Sequence, residues 1–176
     1  LLVPPGSTLH ILHSNKMALE VGELIEKALT ASQPQLKCEL TSTEGFRQWA
    51  GKVSLMDPKA DDEQPVYGLF IIETVENEQP SEAAGTCTRF IHRRSNEPNC
   101  LKRLNYCVLG LGDSNLLLDR QTTTAKDCNQ AAKALNARLK ELGATPFYTY
   151  GNADDRTGNQ EVQPWIAGLS KAIVCE

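Results

Sequence analysis

The sequence predicts a doubly wound α/β sandwich three layers deep, and three observations carry that prediction. Apolar runs of strand length alternate with stretches whose apolar residues recur at helical spacing. One run, residues 66–72, is apolar almost throughout, as a central parallel strand covered on both faces should be. Another, residues 104–109, feeds directly into Gly110-Leu111-Gly112-Asp113-Ser114-Asn115, an abrupt change from buried strand to a turn of small and polar residues. In open α/β sheets ligands sit beyond the carboxyl ends of the strands, so this turn marks the expected functional edge.

Residues 8–13 are the first predicted strand. Ser14-Asn15-Lys16 follows, and then Val21, Leu24, Ile25, Ala28 and Leu29 fall on one helical face. A loop that opens a helix offers free amides and a favourable dipole to an anion, although every βα unit owns such a loop. Residues 36–40 give the second strand, and Phe46, Trp49, Ala50 and Val53 a short helical face. Residues 57–64, with Pro58, Asp61, Asp62 and Glu63, read as a charged surface loop.

The central run at 66–72 leads into an acidic loop, Glu73-Thr74-Val75-Glu76-Asn77-Glu78-Gln79-Pro80. Ser81 then caps a helix whose buried face is Ala84, Cys87, Phe90 and Ile91. Past the Gly-Leu-Gly turn, residues 116–128 read as an extended loop. Ala131, Leu135, Leu139 and Leu142 make one stripe, stopped by Gly143 with Pro146 beyond. Residues 147–150 supply a fifth strand, residues 151–155 a loop, and Pro164 starts a last helix burying Trp165, Ile166, Leu169 and Ile173.

The 176 residues fit one domain over 1–176, and no shift of composition divides them. The opening Leu-Leu-Val-Pro-Pro, without an initiator Met, makes one module of a longer protein the expectation. Eighteen basic against 22 acidic side chains leave a formal charge of −4, which disfavours a nucleic-acid partner. No apolar run approaches a membrane span and the amino terminus lacks signal-peptide character, so a cytoplasmic location is expected, with no membrane contact within this domain. The cysteines at 38, 87, 100, 107, 128 and 175 show no zinc-site spacing and read as reduced thiols, with Cys107 and Cys175 in apolar stretches. No metal site is expected. His10, His13 and His92 have no nucleophile or base partner, and His10 and His13 point to opposite sides of a strand, so nothing favours a hydrolase or transferase. No catalytic residue is assigned.

Gly110 to Asn115, followed by Leu135-x-x-Arg-Leu-x-Glu-Leu-Gly-Ala144, Ala153-Asp-Asp155 and Pro164-Trp165, resembles the flavodoxin-like FMN domain of the NADPH-dependent diflavin reductases, of the methionine synthase reductase and NADPH-haemoprotein reductase type. The resemblance implies a five-stranded parallel sheet of order 2-1-3-4-5, with FMN at the carboxyl edge of strands one, three and four. It implies electron transfer from a separate module carrying FAD and NADPH to a haem or cobalamin protein. Carried over by position, Ser14, Asn15, Lys16 and Met17 would take the FMN phosphate. Thr74, Val75 and Glu76 would meet the ring edge, and Gly110, Leu111, Gly112, Asp113 and Asn115 the ring and ribityl side. Leu116 stands where the family places a stacking aromatic.

Each of these loops departs from the family pattern. Ser14-Asn15-Lys16-Met17-Ala18 lacks the usual run of hydroxyls and glycine, and it is shorter. Glu76 and Glu78 replace both glycines of Thr-x-Gly-x-Gly-x-Pro, at about 1 to 2 kcal/mol for either position that needs positive φ. No aromatic lies between Tyr106 and Phe147 or between Phe70 and Phe90. Without two stacking rings, affinity falls about tenfold to a hundredfold. Two functions therefore stand open. One is an electron-transfer domain that binds FMN, with weakened affinity, at a conventional edge with unusual loops, and in which Glu76, Glu78, Asp154 and Asp155 steer a basic redox partner. The other is a flavodoxin-like domain that has lost FMN and serves as a docking or scaffolding module.

Overall fold

Five parallel segments of chain side by side, with helices on both faces, make the frame that positions everything else. The computed structural model describes residues 2–60, 64–116 and 127–175. The strands are β1 (Leu2–Val3), β2 (Thr8–His13), β3 (Lys37–Ser42), β4 (Val66–Glu73), β5 (Leu104–Gly112), β6 (Thr145–Pro146), β7 (Gly151–Asp154) and β8 (Val174–Cys175). The helices are α1 (Lys16–Ser32), α2 (Phe46–Lys52), α3 (Glu82–Ile91), α4 (Gln130–Glu141) and α5 (Val162–Ala172).

The main sheet runs β3-β2-β4-β5-β6, and β7 also pairs with β5, all in parallel. With β6 and β7 sharing one edge, this is the order 2-1-3-4-5. Alternation along each strand divides the interior in two. Leu12, Phe70, Ile72, Tyr106 and Val108 pack under α2, α3 and α4, while Leu9, Ile11, Leu69, Ile71, Cys107 and Leu109 pack under α1 and α5. A short second sheet joins β1 to β8.

Several expectations need correction. Gly110, Leu111 and Gly112 are not a turn: they continue β5, paired with Ile72 and Glu73 on one side and with Asn152, Ala153 and Asp154 on the other. The turn starts at Asp113. Residues 147–150 do not form the fifth strand, which is split around them into β6 and β7. The Thr149 carbonyl accepts from the Trp165 indole at 3.0 Å, and the Tyr148 ring packs against Trp165, so this stretch turns toward α5. Residues 151–154, expected as loop, are strand. Leu24 is 44% exposed and Phe90 is only half-buried, because each sits at the margin of its helix's buried face. The last helix begins at Val162, with Pro164 in its first turn. Asp61, Asp62, Glu63 and most of the expected loop at 116–128 lie outside the described residues.

Cys38, Cys87, Cys100, Cys107 and Cys128 are free thiols, and burial pushes Cys38 up to about 11. Among the described residues no helix is long and apolar enough to cross a membrane.

Candidate functional site

The first loop leaves β2 beside the end of β4. The Ser14 amide donates to the Ile71 carbonyl at 3.2 Å, and the buried Ser14 hydroxyl accepts from the Glu73 amide at 3.0 Å. Asn15 caps α1 through an Oδ1 that accepts from the Ala18 amide at 3.0 Å. Its other side-chain atom, Nδ2, donates to the Glu73 carboxylate. Lys16 is exposed, and the Met17 sulfur accepts from Asn159 at 3.7 Å.

The second loop is tied to the third. The Thr74 amide donates to the Leu111 carbonyl at 2.9 Å, while the Thr74 hydroxyl accepts from the Ala131 amide at 3.2 Å, at the start of α4. Val75 closes the loop on Gln79 at 2.8 Å and stays 38% exposed. Between them Glu76–Glu78 forms one 3-10 turn, in which Glu78 takes a φ of 61° and Glu76 does not take a positive φ. Of the two positions where the family carries glycine, only Glu78 needs left-handed backbone.

In the third loop the Asp113 carboxylate accepts from the Asn115 amide at 2.9 Å, and the Asp113 carbonyl from Leu116 at 3.1 Å. The buried Asp154 carboxylate accepts from the Ser114 amide at 3.0 Å and the Arg156 amide at 3.1 Å. Burial alone would raise the Asp154 carboxyl. These amides and the Arg156 guanidinium, 4.0 Å away, instead hold it below the usual carboxylate range. Asp154 is therefore a structural brace and cannot steer a partner. Glu76, Glu78 and Asp155 remain exposed.

The three loops thus meet at one edge, as expected, but the glycines do other work there. A Cβ on Gly110 would lie 2.6 Å from the Asn129 side-chain oxygen and 2.9 Å from Ala132, and one on Gly112 would press into the Cys128 carbonyl. What these glycines admit is the chain's own segment leading into α4. Leu111 is buried among the residues under α1 and α5. Thr74 is likewise buried and engaged, which leaves Val75 and Leu116, 38% and 44% exposed, as the apolar side chains of the two ring-side loops.

Sequence reasoning missed Glu73. Burial, reinforced by Asp155, raises its carboxyl above the ordinary value. The only available signal was an acid at the last position of an otherwise apolar strand.

The comparisons with known proteins match this geometry. A flavodoxin family model covers residues 35–165. The chain belongs to the flavodoxin family. Its relatives include diflavin reductases: it is 36% identical over 106 residues to methionine synthase reductase of Bos taurus, covering 60% of this chain and 14% of that protein. With the human methionine synthase reductase it shares 31% over 137 residues, 77% of this chain and 18% of that one. NADPH-dependent diflavin oxidoreductase 1 of Xenopus laevis is 33% identical over 109 residues, 60% of this chain and 17% of that protein. The chain therefore spans less than a fifth of these relatives. A mutant of flavodoxin from Pseudomonas aeruginosa superposes with a TM-score of 0.63 at 18% identity, covering 94% of this chain and 97% of that one.

The family implies FMN, and the residues present fit it at one end only. Val75 and Leu116, exposed at the ring-side loops, would give a ring an aliphatic wall in place of aromatics. At the phosphate end the Glu73 carboxylate stands on Asn15, where an anion would need donors.

Proposed function

We propose that this domain is the flavin-binding electron-transfer module of a diflavin-type reductase, a single unit over residues 1–176 within a longer cytoplasmic chain. Its flavin, FMN by the family pattern, would receive electrons from a separate module carrying FAD and NADPH. The onward acceptor would be a haem or cobalamin protein. One observation supports this reading above the others: the exits of β2, β4, β5 and β7 are hydrogen-bonded each to the next, Ser14 to Glu73, Thr74 to Leu111 and Ser114 to Asp154. A crevice built from neighbouring strand ends is where this topology binds its ligand.

When bound, the flavin supplies the redox chemistry; the chain supplies position and field. Val75 and Leu116 would cover the ring, and Asp113 and Asn115 would contact the ribityl side. Glu76, Glu78 and Asp155 set a negative rim that favours a basic acceptor surface. Titrating the chain with FMN and with riboflavin and following quenching of flavin fluorescence tests the reading. Saturable one-to-one binding is expected, and a folded chain that takes up no flavin refutes it.

A docking module without flavin is the second reading, favoured by the carboxylate at the phosphate end. It predicts no flavin uptake by a folded chain, together with retained association with a partner reductase module.

A further inference from the structure

The Glu73 carboxylate sits at the head of the 17-residue helix α1, on the side chain that caps that helix. Its position is fixed from two directions, since its own amide donates to Ser14 at 3.0 Å while Asn15 donates to its carboxylate. Ser14 and Asn15 are the residues whose place in the chain would put them against a flavin phosphate. Ser14 is engaged by the Glu73 amide and Asn15 by the Glu73 carboxylate.

The charges nearby do not offset it. Asp155 lies close enough to raise the Glu73 carboxyl, and the Arg156 guanidinium is turned to Asp154 at 4.0 Å. Lys16 is exposed, and Glu73 is bonded to Asn15 instead. A phosphate carrying nearly two negative charges placed on Asn15 would stand against the Glu73 carboxylate, with Asp155 near enough to add to the repulsion. An uncharged ribityl hydroxyl would meet no such opposition.

We propose that Glu73 is a specificity-determining residue that fills the phosphate position, so that the crevice takes a flavin without its 5′-phosphate in preference to FMN. The inference rests on the flavin-binding reading above and goes beyond it. Glu73 acts on the ligand directly, by occupying space and by repelling the phosphate, while Asn15 and Ser14 hold it in place.

The test compares riboflavin and FMN on the wild-type chain, Glu73→Gln and Glu73→Ala, with circular dichroism to confirm folding of each. Wild type should bind riboflavin at least tenfold more tightly than FMN, in line with an uncompensated charge contact. Glu73→Ala should tighten FMN tenfold or more and leave riboflavin within threefold. Glu73→Gln, which removes the charge and keeps the bulk, should recover part of that gain and reduce the salt dependence of FMN binding. FMN gained by Glu73→Ala from no detectable wild-type binding also supports the proposal. Wild type preferring FMN, or Glu73→Ala changing both flavins equally, overturns it while sparing the flavin-binding reading. Failure of both flavins on all three folded proteins overturns the flavin-binding reading and this one with it.

Discussion

Glu76 and Glu78 stand where the family carries two glycines, and the backbone treats them differently. Glu78 holds a φ of 61°, whereas Glu76 opens the 3-10 turn without positive φ. For a residue with a Cβ the left-handed region costs about 1 to 2 kcal/mol. Glycine gives back about 0.5 to 1 kcal/mol of that through its freer unfolded chain. Glu78→Gly should therefore stabilise the domain by about 0.5 to 1 kcal/mol, and Glu76→Gly should destabilise it by a similar amount. Both side chains are exposed and each substitution removes one carboxylate, so electrostatic effects largely cancel between the two. Urea unfolding followed by circular dichroism measures the difference, about 1 to 2 kcal/mol between the variants. In thermal melts it corresponds to roughly 2 to 8 °C for a chain of this size. Equal shifts of the same sign would refute the assignment of backbone strain to Glu78.

Gly112→Ala should destabilise by about 2 kcal/mol or more, because the added methyl meets a backbone carbonyl at Cys128 that has no rotamer to yield; an unchanged urea midpoint would contradict this. Asp154→Ala strips acceptors from two amides and should cost about 2 to 4 kcal/mol in urea unfolding, with Asp154→Asn milder. Because its folded pKa is depressed, the stability Asp154 contributes is present above 3.8 and lost as pH falls through the folded value; that acid limb should flatten in Asp154→Asn. Burial lowers His10, opposed by Glu39 and aided by Lys52, so its contribution is complete above 6.5 and declines as pH falls below that value. The urea midpoint should drop between pH 7 and pH 5.5, less so in His10→Gln. Glu73, raised instead, favours the folded state below its unfolded value of 4.5 and withdraws that support as pH rises through the folded value; Glu73→Gln should remove the slope from unfolding curves in that range.

The frame was legible because burial leaves a periodic imprint. Residues 66–72 and 104–109 could be placed as central strands from apolar continuity, and α1 and α4 from their stripes. What failed were places where tertiary contacts override local pattern. Nothing local says that the Trp165 indole will claim the Thr149 carbonyl and split the edge strand. Gly110 and Gly112 were legible as positions that must lack a side chain, but not as to what presses on them. The same two letters serve a cofactor or the chain's own return toward α4, and only the packing at Asn129, Ala132 and Cys128 separates the cases. Glu73 carried no motif at all; its meaning comes from Asn15, 58 positions away. The loop departures, by contrast, were readable as departures, and the φ of Glu78 now divides them into one strained position and one ordinary one.

The pairing of Leu2 with Val174 and Val3 with Cys175 brings both termini together at the amino ends of the strands. The strand exits proposed to take the flavin lie at the other end. Any polypeptide tethered to either terminus begins its path on the far side of the sheet. It must travel the length of a strand such as β4, eight residues or about 26 Å, before it can face the strand exits. A connector shorter than about eight extended residues would hold an attached body away from that edge, so reach rather than affinity would set which surfaces can meet.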